Sequence, residues 1–119
     1  MKHLRDDEYC LFVNGGEGSD LWALLADWSD SADEEEWKAH VPRFSRLIRR
    51  WQRLGFIKVF RSDAWPAHLT GEEVTGRALD ELLADSASWE YRDPVRWTCV
   101  ASGDRDIQEL REGMRAPDE

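Results

Sequence analysis

The chain reads as an α+β domain of four to five helices with a small antiparallel sheet, and three observations carry that expectation. Apolar residues recur at helical spacing in several separate segments. Two short runs, FIKVFR at 56–61 and RWTCVA at 96–101, have the aromatic and β-branched content of strands and are placed to pair antiparallel. Finally, 119 residues suit one domain with one core, so residues 1–114 are read as a single unit and 115–119 as a frayed tail.

The first segment, YCLFV at 9–13, is a short apolar run followed by the turn-rich residues 14–18, and it is read as a short strand. Ser19 or Asp20 then caps a helix whose Leu21, Leu24, Leu25 and Trp28 share one face. Residues 31–40 follow as a short acidic helix, with Asp33, Glu34, Glu35 and Glu36 where the positive end of the helix dipole favours carboxylates. Pro42 suits the first position of a new helix, which runs to Leu54 and stops at Gly55.

That longer helix carries the clearest pattern in the chain. Phe44, Leu47, Ile48, Trp51 and Leu54 share one face, while Arg43, Arg46, Arg49, Arg50 and Arg53 occupy an arc of roughly 120° on the other side. After the strand at 56–61 comes a loop holding Trp65, Pro66 and His68. Thr70 and Glu73 then have the spacing of a capping box for a helix through Ala84, with Leu79, Leu82 and Leu83 as its apolar face. A turn ending at Trp89, the second strand and a last short helix at 104–114 complete the expected order.

Charge separates sharply along the chain. The net charge is −9, yet Arg43 to Arg61 holds seven basic residues and no acidic one, leaving 9 basic against 25 acidic in the rest. The overall surplus repels nucleic-acid phosphates and anionic lipid at long range, whereas the arginine face attracts anions locally. No run approaches the roughly 20 apolar residues of a membrane span, and residues 1–8 lack a signal-like apolar core, so a cytoplasmic protein with no membrane partner is expected. Cys10 and Cys99, each set among apolar or aromatic residues, read as buried thiols.

Motifs that would carry catalysis are missing from the sequence. No serine lies in a nucleophile elbow, and the glycine cluster at 15–18 has acidic Glu17 and lacks the lysine of a phosphate loop. His3, His40 and His68 are scattered without ligand spacing, so no metal, no cofactor and no enzyme activity are expected. Among the seven tryptophans, Trp28, Trp51 and Trp97 read as core, and Trp22 and Trp65 as exposed aromatic anchors.

The order of elements, with the third helix ending at Gly55 and running into a strand, resembles a winged helix-turn-helix. More narrowly, LIRRWQRLGFIKVFR (47–61), LDELLADSASWE (79–90) and RWTCVASGD (96–104) are similar to small uncharacterised winged-helix-like proteins of GC-rich Gram-positive bacteria. The resemblance spans about residues 21–104 and implies a fold, with no activity or catalytic residue to transfer. The helical insert at 70–84 stands where a short wing hairpin would be, which weakens wing contacts to DNA.

Three functions remain. The first is a non-catalytic regulatory or adaptor module that binds a protein through Arg43, Arg46, Arg49, Arg50, Arg53, Lys58 and Arg61 with Trp22 or Trp65. The alternative is a DNA-binding transcriptional regulator that presents the same arginines to the major groove. The third is an acidic inhibitor or immunity-type protein whose carboxylates mask a basic partner.

Overall fold

The structure, a computed structural model, describes residues 4–64, 67–90 and 97–105. Its first element is a helix, α1 (Asp6–Glu17), where the apolar run at 9–13 led us to expect a strand. Five apolar residues in a row carry no period, so the ends of the segment decide. Asp6, Asp7 and Glu8 fill a first helical turn, and Glu8 Oε1 accepts the Arg5 N–H at 2.8 Å. Burial of Asp7, Cys10, Leu11, Asn14 and Gly15 then follows a helical face. Four residues of the expected turn, Asn14 to Glu17, belong to this helix, and only Gly18, at φ 69°, stops it.

Helix α2 (Leu21–Ser29) starts at Asp20 as expected and buries Leu21, Leu24 and Leu25. The acidic helix α3 (Glu34–Lys38) is capped by Asp33, whose carboxylate accepts the Glu35 N–H at 2.9 Å. Helix α4 (Val41–Leu54) has Pro42 in its first turn and ends at Gly55, whose φ of 88° is the left-handed conformation glycine permits. Its buried face is Phe44, Leu47, Ile48 and Trp51.

Strand β1 (Ile57–Ser62) leads into α5 (Ala67–Thr70), β2 (Glu72–Glu73) and α6 (Gly76–Ala84), then a 3-10 turn (Ser86–Trp89) and β3 (Trp97–Ser102). The single helix expected from Thr70 to Ala84 is therefore broken. The Thr70 hydroxyl is used by the preceding loop, donating to the Ala64 carbonyl at 2.7 Å and lying 2.8 Å from the Ser62 hydroxyl, so it is not available as a cap. Glu73 pairs with Phe60 across the sheet instead of reaching back to a helix start. Helix α6 begins five residues later with Thr75 in the N-cap position.

The sheet order is β2-β1-β3, with β1 antiparallel to both neighbours and Val59 opposite Val100. On the free side of β3, Asp20 bridges Cys99, and the Val100 N–H donates to the Ser19 carbonyl at 2.9 Å. The architecture is α+β and winged-helix-like, with helices α1, α2 and α4 packed on a small sheet, α3 packed against α2, and a helical insert between β1 and β3. Leu11, Leu21, Leu24, Leu25, Phe44, Ile48, Trp51, Ile57, Val59 and Val100 form its fully buried centre. The helix expected at 104–114 and the tail at 115–119 lie almost wholly outside the described residues.

Candidate functional site: the arginine face of helix α4

Burial of Phe44, Ile48 and Trp51 against the core turns the other side of α4 outward, and with it the five arginines. The neighbours of α4 divide that face into two edges and a ridge. At the α1 edge, Arg43 Nη1 lies 3.3 Å from Asp7 Oδ2, and the Arg43 guanidinium sits 5.3 Å from the centre of the Trp28 ring. At the α6 edge, Arg49 Nη1 is 3.8 Å from Asp80 Oδ1. Between the edges, Arg46 and Arg53 are exposed and make no ion pair among the described residues, while Arg50 is half-buried. Arg46 and Arg53 are seven residues apart, which spaces them roughly 10 Å along one side of the helix.

Shallow grooves border the ridge on both sides. One, of about 690 Å³, runs between α4 and α1 and includes Arg5, Asp7, Arg43, Arg46 and Arg50. The other, of about 500 Å³, runs between α4 and α6 and includes Arg46, Arg49, Arg50, Arg53, Gly76 and Asp80. The carboxylates on the arginine face thus come from α1 and α6. Within α3, Glu35 binds Lys38 of its own helix at 2.9 Å, and no α3 carboxylate pairs with an α4 arginine among the described residues.

The two strand cations named with this face are engaged elsewhere. Lys58 Nζ lies 3.1 Å from Asp104 Oδ1, and Arg61 Nη2 donates to the Ser88 hydroxyl at 3.3 Å. Neither lines the grooves beside α4. The candidate site contracts to the five helix arginines.

The aromatic assignments also change. Trp22 is half-buried and stacked on Trp37, with ring centres 6.1 Å apart, so it is packed rather than presented. Trp65 and the Trp97 side chain lie outside the described residues. Trp51 is buried in the core and Trp28 is half-buried against Phe44. Among the described residues, the exposed aromatic pair is Tyr9 and Phe12 on α1, 60% and 39% accessible, with ring centres 6.5 Å apart. Reading 9–13 as a strand hid this pair, because only a helix places residues three apart side by side. Sequence reasoning also missed an apolar cleft of about 290 Å³ that brings together Trp37 and Trp89 from distant segments.

No known protein family, curated protein or solved structure matches this chain. Among the described residues, no helix is long and apolar enough to cross a membrane, and no three His, Cys, Asp or Glu side chains are grouped to hold a metal ion.

Proposed function

We propose that this chain is a non-catalytic adaptor or regulatory module that holds an acidic protein segment on the arginine ridge of α4. The observation that carries the reading is the pair Arg46 and Arg53, exposed on one side of a helix and without ion pairs among the described residues, while Asp7 and Asp80 pair with the arginines at the edges. A narrow cationic ridge between carboxylates favours a slender anionic partner, whose own charges reach the ridge and avoid the edges. Duplex DNA is wider and would bring its phosphates close to Asp7 and Asp80, against a chain of net charge −9.

A second reading is a DNA-binding regulator, favoured by the position of α4 as the helix that precedes the antiparallel pair β1 and β3 in a winged-helix-like order. One experiment separates the two. The purified chain and an Arg46→Glu, Arg53→Glu variant are titrated by fluorescence anisotropy with labelled Glu/Asp-rich peptides and with random and genomic DNA fragments, across a salt series. Saturable peptide binding that the variant loses, with no DNA binding, supports the adaptor. Variant-sensitive DNA binding that weakens steeply with salt selects the regulator. Binding to neither ligand at low salt removes both.

A further inference from the structure

A second site lies away from the arginine ridge and stands independently of how that ridge is read. The cleft of about 290 Å³ opens between α2, α3, the start of α4 and the end of α6 with its following turn. Leu25, Trp37, Leu83 and Trp89 form its buried wall. Both indole N–H groups are already satisfied internally, Trp37 Nε1 by the Ser31 carbonyl at 2.8 Å and Trp89 Nε1 by the Leu83 carbonyl at 3.0 Å. The rings therefore offer the cleft apolar surface without a donor that needs water. The volume lies near the lower end of small-molecule sites, roughly 300–1,000 Å³, and suits a body of one or two fused rings.

The rim sets the charge of the occupant. Glu34, Lys38 and Glu90 all line the cleft. Lys38 is committed to Glu35 at 2.9 Å, whereas Glu34 makes no ion pair among the described residues. Hydrogen bonding and charge from Glu35, followed by the charges of Glu90 and Glu34, hold the Lys38 ammonium above its ordinary pKa, as expected beside surplus carboxylates. With Lys38 neutralised by Glu35, Glu34 leaves an uncompensated negative charge at the mouth among the described residues.

We propose that this cleft binds a small amine with a planar apolar body, its rings against Trp37 and Trp89 and its ammonium at the mouth beside Glu34. The two indoles add favourable quadrupole contact for a cation placed near them.

The test uses three probes that share one apolar body and differ in charge: 2-(1-naphthyl)ethylamine, 2-(1-naphthyl)ethanol and 1-naphthylacetate. Each is titrated into the full chain and followed by amide and indole NMR shifts. The expected result is saturable binding with shifts centred on Leu25, Trp37, Leu83 and Trp89, the amine binding about tenfold more tightly than the carboxylate at low salt. Glu34→Gln should reduce the preference for the amine severalfold and leave binding of the alcohol unchanged. Ala84→Phe, which fills the cleft from an exposed position, should abolish binding of all three while the NMR spectrum stays folded. Equal affinity for amine and carboxylate, shifts located elsewhere, or no saturable binding by the amine would each overturn the proposal.

Discussion

The pH dependence of stability should carry a distinct contribution from Cys10. Its thiol is buried at the α1–α2 contact, 3.8 Å from Asp27 Oδ2 and 4.0 Å from the Leu24 carbonyl, while Asn14 Nδ2 stands 3.6 Å away. Burial first, and then the charge of and hydrogen bond to Asp27, push the thiol from 9.0 up to about 12. Between those values the unfolded chain gives up the thiol proton and the folded chain keeps it, so stability falls as pH rises. Below about pH 9 both states hold the proton and the contribution is intact. At pH 10 the loss from this group is about 1.4 kcal/mol, and at pH 8 it is close to zero.

The assay is urea unfolding of the wild type and of Cys10→Ala at pH 8 and pH 10. Groups other than Cys10 titrate in both proteins and cancel in the comparison. The wild type should lose about 1 kcal/mol more than the variant over this range, whatever the variant's starting stability. In the native protein at pH 8, the thiolate fraction of Cys10 should be about a thousandth of that of an ordinary cysteine, so alkylation with iodoacetamide should be correspondingly slow in a Cys99→Ala background. Equal pH dependence of the two proteins would refute the reasoning, because it would mean that folding leaves the thiol's proton affinity unchanged.

Other outcomes follow from the same structure. Asp20 is buried with Oδ1 lacking a hydrogen-bond partner among the described residues, and burial raises its pKa, so its charged form opposes folding at neutral pH. Asp20→Asn should therefore be more stable than the wild type at pH 7, a gain that shrinks as pH falls through the raised folded pKa and vanishes below the ordinary 3.8, as read by urea unfolding at pH 7 and 3. A Cβ at Gly71 would run into the backbone of Arg61, whereas one at Gly16, inside α1, would meet nothing within 4 Å. Gly71→Ala should therefore cost about 2 kcal/mol or more in denaturant unfolding, and Gly16→Ala should add about 0.5–1 kcal/mol. Arg46→Glu with Arg53→Glu should change stability by less than about 0.5 kcal/mol in thermal unfolding, since both side chains are exposed and make no ion pair among the described residues.

Helix α4 was legible because every local signal agrees: Pro42 at its start, Gly55 at its end, and an apolar stripe opposite a charged one. Strands β1 and β3 were legible for a similar reason, as two β-forming runs whose antiparallel pairing needs no special turn chemistry. Helix α1 was misread because YCLFV has no period, and the deciding contacts, the Glu8 carboxylate on the Arg5 N–H and the packing of Leu11, lie at its ends and behind it. The break at Gly71 was invisible for a different reason. Thr70 and Glu73 have capping-box spacing, but the structure commits the Thr70 hydroxyl to the Ala64 carbonyl and Glu73 to the strand opposite Phe60.

For the candidate sites, residue order along the chain was sufficient to find the arginine face, because a single helix brings its own side chains together at fixed spacing. Which of those arginines keep their charge available depended on Asp7 and Asp80, from elements far away in sequence, and on Lys58 and Arg61 finding Asp104 and Ser88. The same holds for the cleft of Leu25, Trp37, Leu83 and Trp89, which four separate segments close. Periodicity and end signals are local and can be read from the chain, whereas ion pairing and concavity arise only where distant segments are packed against one another, and so tertiary structure alone decided them.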